Sequence, residues 1–188
     1  MRKRFLSTVL VLIMLLSLAP MSALADDTFR SGDFTFVIET GVACVKKYNG
    51  SSSSVSVPSK VDYDGVTYKV RNIHQDAFKN CTTIQKLVLP ETVNRIGKQA
   101  FANCTSLNSI TINGDLNEVY TVDNTFYNIG ANSDYLNVTF GPEVTAIPSN
   151  LFDSTYSKSE GYYPHITNVT IPDSVTSIGL GAFKNCHD

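Results

Sequence analysis

The sequence predicts a β-rich solenoid, a fold in which short repeats stack as successive coils around one shared core. Phe78 precedes Phe101 by 23 residues, and the same pattern of apolar residues returns 82 residues after Phe101, at Phe183. Within each repeat, apolar and polar residues first alternate with the period of a β-strand. A fixed period of this length indicates a solenoid, because one repeat cannot bury its own apolar face.

The N-terminal segment, residues 1–25, is predicted to be a secretory signal peptide. Residues 2–4 are basic, residues 5–18 form an apolar run, and residues 23–25 read Ala-Leu-Ala, which fits a small-residue cleavage site. We expect cleavage near Ala25 and a mature chain that is secreted or held at the cell surface. An N-terminal membrane anchor is the alternative, but the apolar run is short and interrupted.

The charge of the mature chain restricts the kinds of partner it can have. The full chain has 15 basic and 17 acidic residues. Without residues 1–25 it has 12 basic and 17 acidic residues, a net charge of −5. This balance argues against a nucleic-acid-binding surface, which needs a basic stripe. The length of the mature chain fits one domain. No second apolar stretch is long enough to span a bilayer, so we expect no membrane span in the mature chain.

The clearest repeat, residues 84–106, shows the expected order of elements. It begins as a strand with alternating apolar residues, and Pro90 ends that strand because it has no N–H group to donate. A second extended step follows, and Gly97 permits the turn after it. Residues 98–103 suit a single helical or 3-10 turn. The positions expected to face the core are Leu87, Leu89, Val93, Ile96, Phe101 and Cys104.

The mature chain divides into an N-terminal segment and the solenoid itself. Residues 26–54 contain two strand-like runs on either side of Glu39-Thr40-Gly41, and we expect a β-hairpin that caps the first coil. Residues 55–188 contain about five repeats. Extra residues near 113–134 and 153–164 are insertions, which usually form loops on one face of a solenoid.

The four cysteines are interpreted mainly as packing residues. Cys81, Cys104 and Cys186 occupy one repeat position, which favours buried thiols over disulfides. A Cys81–Cys104 bridge between adjacent coils stays geometrically possible. Cys44 lies outside the pattern. Three histidines without a Cys-x-x-Cys pair give no metal-ligand spacing, so we expect neither a metal nor a cofactor.

Five positions carry the Asn-x-Ser/Thr pattern of glycan acceptors. Two of them, Asn80 and Asn103, are equivalent repeat positions, which favours a structural role because Asn tolerates left-handed backbone geometry. The bacterial character of the signal peptide favours the same interpretation. The five are Asn49, Asn80, Asn103, Asn137 and Asn168.

The repeat resembles that of the bacterial BspA-type, or treponemal-type, leucine-rich-repeat family. Residues 84–106 and 166–188 match its pattern almost throughout, and residues 70–83 match its second half. Residues 135–152 match with Pro148 in place of Gly and with Leu in place of Ala. The resemblance implies a right-handed leucine-rich-repeat solenoid. It also implies an exported or surface-attached protein that acts in adhesion, matrix binding or host contact.

The sequence contains no recognisable catalytic constellation, and we therefore expect a protein that is not an enzyme. His74 takes the repeat position of Gly97, which suits a surface turn better than a general base. Asp64-Gly65 is more simply a hairpin turn. Two other hypotheses stay open: a repeat module of a larger exported enzyme whose catalytic part lies beyond residue 188, and a secreted structural protein without a ligand.

Two surfaces are candidates for binding an extracellular or host protein or glycan. The second insertion carries Tyr156, Tyr162 and Tyr163, and tyrosines in polar loops are typical of recognition surfaces, although these rings could instead cover their own repeat. The other candidate is a Thr/Asn-rich face of the strands, formed by Lys86, Val88, Ser109, Thr111, Asn137, Thr139, Asn168 and Thr170.

The C-terminal end of the repeat region lacks a capping segment in the sequence. The last coil ends in a complete Phe-x-x-Cys step at Cys186, so we expect its apolar edge to be open. This pattern favours a fragment of a longer protein over a partner that covers the end.

Overall fold

The computed structural model describes residues 28–116, 118–119, 125–153 and 164–186. Within these residues the chain forms 14 short strands and no helix. The strands in chain order are β1 Thr28–Ser31, β2 Phe34–Glu39, β3 Val42–Tyr48, β4 Ser54–Ser56, β5 Lys60–Tyr63, β6 Val66–Ile73, β7 Lys86–Leu89, β8 Arg95–Ile96, β9 Ser109–Ile112, β10 Glu118–Val119, β11 Leu136–Phe140, β12 Ala146–Ile147, β13 Ile166–Thr170 and β14 Ser177–Ile178.

The main sheet confirms the predicted solenoid. It contains five parallel strands in the order β4, β7, β9, β11, β13, one from each successive pass of the chain. Leu87 pairs with Ile110 in register, and both side chains are buried in the core. Because side chains alternate between the two faces of a strand, the residues between them face outward. The five strands are joined by four circuits of the chain.

A second sheet covers another side of the coils. Strands β1, β2 and β3 form an antiparallel meander, and β3, β6, β8 and β10 then pair in parallel. Strands β12 and β14 continue the same parallel arrangement as a separate pair. Strand β5 pairs antiparallel with β6 across a turn at Asp64 and Gly65, whose φ angles are 50° and 74°. The first coil thus carries a small hairpin.

The side of the coils that carries the phenylalanines has no helical turn in the described residues, and that prediction was wrong. Asp76 and Asn80 have φ angles of 58° and 63°. The N–H groups of Asp76, Phe78 and Asn80 donate to three carbonyls of the next coil over 3.0, 2.7 and 2.9 Å, whereas those of Ala77 and Lys79 donate within their own turn. The acceptors are the carbonyl oxygens of Lys98, Ala100 and Ala102.

The left-handed asparagines also bond to one another through their side chains. Asn103 donates from Nδ2 to Oδ1 of Asn80 at 2.9 Å, and Asn128 donates to Oδ1 of Asn103 at 3.0 Å. Asn103 and Asn128 have φ angles of 61° and 55°. The structural interpretation of Asn80 and Asn103 is confirmed, because both residues occupy a backbone conformation that Asn tolerates better than most residues.

A continuous stack of aromatic rings runs through the core. Phe78 and Phe101 are fully buried with ring centroids 5.2 Å apart. Phe126 follows 5.3 Å from Phe101, and Phe152 follows 4.6 Å from Phe126. Phe183 completes the stack 5.7 Å from Phe152. One shared apolar interior therefore connects all the coils, and Phe126 is a full member of the stack although it lies outside the regular repeat spacing.

The repeated glycines are required by close stacking of the backbone and not by a left-handed turn. A Cβ atom on Gly97 would lie 2.6 Å from the backbone nitrogen of Gln75 in the preceding coil. A Cβ atom on Gly179 would lie 2.3 Å from the backbone nitrogen of Ser149. Neither glycine has a positive φ angle. Only glycine lets the two backbones approach this closely.

The two ends of the solenoid differ in how their apolar edges are covered. At the N-terminal end, Tyr48 at the end of β3 stacks on Phe78 at 5.5 Å and donates its N–H to the carbonyl of Ala77 at 2.8 Å. At the other end, core-type residues of the last coil are exposed, as the sequence predicts. The exposed fractions are 38% for Val169, 39% for Ile171 and 54% for Ile178.

Candidate binding surfaces

The outward side of the main sheet forms a regular polar surface, which we call the polar face. Strand registers align its side chains in two rows that cross all five strands. The first row is Ser54, Lys86, Ser109, Asn137 and Asn168, and the second is Ser56, Val88, Thr111, Thr139 and Thr170. Neighbouring strands lie about 4.8 Å apart, so the rows span about 19 Å.

The chemistry of the polar face is suited to recognition by hydrogen bonds. Hydroxyl and amide groups both donate and accept, and Lys86 is the single charged group in the two rows. Asn168 donates to Oδ1 of Asn137 at 2.8 Å, which fixes the orientation of both amides. The three inner strands β7, β9 and β11 are hydrogen-bonded on both sides, so their groups are already ordered before a ligand arrives.

A second polar cluster surrounds Cys44 on the second sheet. The Cys44 thiol is buried and donates to Oε2 of Glu39 at 3.1 Å, and Nδ2 of Asn72 donates to the Cys44 sulfur at 3.1 Å. Burial and the Glu39 carboxylate raise the pKa of Cys44 to about 12. The thiolate is the nucleophilic form, so this cysteine is chemically unreactive near neutral pH.

The three cysteines of the repeat are free thiols, as is Cys44. Cys104 donates from Sγ to the carbonyl of Phe78 at 3.2 Å, and Cys186 donates to the carbonyl of Phe152 at 3.1 Å. Both Cys104 and Cys186 thus bond to the preceding coil at the same repeat position. This contact explains why the position prefers a small apolar residue with a weak donor.

The stability of the fold is expected to decrease as the pH rises from about 9 towards 12. Burial raises the pKa of Cys104 from its ordinary value of 9.0 to about 12. The folded state favours the neutral thiol, so this contribution is complete below the unfolded pKa and is lost as the pH rises through the folded one. Urea unfolding at several alkaline pH values measures this loss of stability. The variant Cys104→Ala should show a shallower decline, and an equal decline in both proteins would contradict the assignment.

His74 follows directly after β6 and is half-buried. His74 lines a surface cleft of about 310 Å³ with Glu39, Asn72 and Arg95. Its Nδ1 lies 3.4 Å from the carbonyl oxygen of Gln75, its own neighbour in the turn. Among the residues that the structure describes, no three His, Cys, Asp or Glu side chains converge as metal ligands. The same residues include no helix with the length and apolar character needed to cross a bilayer.

One candidate binding feature was not expected from the sequence, and one expected feature lies outside the described residues. Tyr156, Tyr162 and Tyr163 lie outside the described residues. The missed feature is a basic groove beside the β5–β6 hairpin. The sequence did contain a signal for this groove. Lys60 and Lys69 lie at equal distances from the Asp64-Gly65 turn, and this spacing makes them cross-strand partners.

The stacked parallel coils, the internal phenylalanine rows and the repeated strand–corner pattern define a leucine-rich-repeat solenoid. The family model described as "BspA type Leucine rich repeat region (6 copies)" matches residues 156–188. This segment thus carries the BspA-type leucine-rich repeat, and the other repeats of the chain are similar to it in pattern.

Solved structures of bacterial leucine-rich-repeat proteins share the fold. A leucine-rich-repeat protein of T. pallidum superposes with a TM-score of 0.52 and 24% identity, over 84% of this chain and 67% of that one. A leucine rich cell surface protein of Faecalibacterium prausnitzii gives a TM-score of 0.51 and 24% identity. That alignment covers 83% of this chain but 45% of the other, so this chain spans less than half of its length. No curated protein gives a significant sequence match.

Proposed function

We propose that this chain is a non-catalytic binding scaffold that acts outside the cell, secreted or at the cell surface, and takes a protein ligand on the polar face. The observation that carries the proposal is the pair of aligned polar rows across five parallel strands. The N-terminal signal-peptide pattern, and the description of the Faecalibacterium prausnitzii neighbour as a cell surface protein, support the location.

Preorganisation of the polar face favours binding. A flat sheet face whose side chains are aligned by strand register loses little conformational entropy on binding. Half of the positions in the two rows are exposed, and the others are half-buried between neighbours. Tyr156, Tyr162 and Tyr163 join β12 and β13 in sequence, and we propose that they add aromatic contact area to the same ligand.

Arginine substitutions in the second row test this function. The double variant Thr111→Arg/Thr139→Arg places two bulky charges at the centre of the polar face and is expected to weaken binding to cell monolayers or matrix extract about tenfold or more. The separate variant with Tyr156, Tyr162 and Tyr163 changed to Ser is expected to weaken it as well.

The matched control is Thr82→Arg, an exposed threonine on the phenylalanine side of the coils. It should bind like the unaltered protein. Unchanged binding by the Thr111/Thr139 variant with an intact fold would remove the polar face from consideration. Absence of binding by the unaltered protein would favour a structural role without a ligand.

A further inference from the structure

A groove of about 490 Å³ lies between the β5–β6 hairpin and the corners of the next two coils. The hairpin supplies Lys60, Lys69 and Arg71 to one wall. The corners supply Glu91, Asn94 and Asp115 to the other wall. The groove is separate from the polar face, because its residues come from the corners that follow the main-sheet strands and from the inserted hairpin.

The arrangement of the three cations is unfavourable for folding by itself. Lys60 and Lys69 are directly opposite each other on antiparallel strands. Like charges in that position repel. Lys69 and Arg71 are two residues apart on β6, so both point to the same face, opposite the buried Val70. All three cations are exposed.

The carboxylates of Asp62 and Asp115 form hydrogen bonds to other groups and no ion pair with these cations. In the described part of the chain, none of the three cationic side chains forms an ion pair or a hydrogen bond. Asp62, on the same face of the hairpin, accepts a hydrogen bond from the Thr67 hydroxyl. Asp115 accepts from the Thr145 hydroxyl and from the N–H groups of Thr145 and Ala146 at 3.2 and 3.3 Å. These bonds lower the pKa of Asp115 and occupy its oxygens.

We propose that this groove binds an acidic saccharide, with Lys60, Lys69 and Arg71 holding its carboxylate or sulfate groups. Arg71 supplies a planar guanidinium that can bind such a group through two parallel hydrogen bonds, and the lysines add point charges. The opposite wall carries Glu91, Asn94 and Thr92, whose exposed or half-buried polar groups fit the hydroxyls of a sugar ring.

The charge distribution favours a short acidic saccharide over a long polyanion. The mature chain has a net charge of −5, so a long nucleic acid would be repelled by the surface beyond the groove. A groove with three cations on one wall and an accessible carboxylate on the other selects ligands by the positions of their charged groups and hydroxyls. In the proposed complex, the anionic groups of the saccharide contact the hairpin and its hydroxyl groups contact Glu91. An acidic peptide lacks those hydroxyls.

Calorimetric titration of the mature chain tests the proposal with four probes: oligogalacturonate, a heparin oligosaccharide, a neutral malto-oligosaccharide of matched length, and an oligoglutamate peptide. At least one of the two acidic saccharides should bind, and the neutral saccharide should not. The triple variant Lys60→Gln/Lys69→Gln/Arg71→Gln is expected to bind about tenfold or more weakly. Which acidic saccharide binds distinguishes carboxylate from sulfate recognition.

The control variant Arg30→Gln/Lys47→Gln/Lys184→Gln removes the same types of charge from exposed positions outside the groove. It should retain binding. An equal loss in both triple variants would show general charge attraction and overturn the proposal. Binding of oligoglutamate as tight as that of the saccharides, or no binding of either acidic saccharide, would also overturn it. The Thr111→Arg/Thr139→Arg variant should bind saccharide normally, which separates this site from the polar face.

Discussion

Replacing Phe101 with alanine is expected to lower the free energy of unfolding by about 3–5 kcal/mol. Phe101 is fully buried and lies between the rings of Phe78 and Phe126, at 5.2 and 5.3 Å. The substitution removes two aromatic contacts and leaves a cavity that neighbouring coils cannot close, because their backbones are hydrogen-bonded on both sides of it. Urea denaturation followed by circular dichroism measures the change.

Two further variants give this prediction its controls. Phe101→Leu keeps most of the volume and should cost about 1–1.5 kcal/mol. Phe183→Ala, in the last coil, should cost much less than Phe101→Ala, because Phe183 is only partly buried, stacks on Phe152 and meets Phe140 edge-on at 6.4 Å. Equal effects at Phe101 and Phe183 would mean that the stack is not the continuous core.

Removing residues 26–54 is expected to abolish cooperative unfolding of the remaining solenoid. Strand β3 pairs with β6, and Val45 accepts the N–H of His74 at 2.9 Å as Ile73 accepts that of Gly97 at 2.8 Å. Tyr48 likewise takes the place of a repeat phenylalanine against Phe78. Without these residues the first coil would expose apolar side chains and unpaired strand groups. The measurements are the denaturation profile and the binding of a hydrophobic dye.

The matched control is a mature chain that begins at Asp33 and so lacks only β1. Strand β1 is largely exposed, although Phe29 stacks on Tyr63 at 4.1 Å. We expect this shorter deletion to cost about 1–2 kcal/mol and to keep a cooperative transition. If the chain of residues 55–188 unfolds cooperatively at the same urea concentration as the mature chain, the hairpin is not a cap.

The sequence allowed the repeat and its core to be predicted, but not the course of the phenylalanine side. Phe126 lies 25 residues after Phe101 and 26 before Phe152, so it does not follow the step of 23. The structure nevertheless places its ring between them. The length of the loops can vary between coils while the rings stay stacked, because each ring is held in place by the coils on either side of it. Spacing alone therefore underestimates the regularity of the core.

The helical turns were predicted wrongly for a related reason. Residues 98–103 have a composition that suits a short helix, and Gln99 and Asn103 are ordinary residues for a turn. In the structure both are left-handed, with φ angles of 52° and 61°. That conformation becomes favourable only because N–H groups can then bond to the next coil. A local pattern contains no information about such a partner.

The polar face could be predicted from the sequence to a greater degree than the basic groove. Outward positions such as Thr139 and Thr170 follow from the strand period, so their common face could be predicted. The groove joins Lys69 on the hairpin to Asp115 in a later coil, and these residues are far apart in the sequence. Their proximity results from the stacking of coils and from the direction in which the hairpin projects.

The amino-acid sequence by itself determined the architecture, because a strand period repeated at a fixed step permits burial of the apolar residues only when coils stack. It also determined which residues line the core. Only the tertiary structure decided how the backbone groups on the phenylalanine side are satisfied, and which charges meet across coils. Those outcomes depend on hydrogen bonds and electrostatic contacts between segments distant in the chain, and a repeat pattern constrains such contacts only for the residues that belong to it.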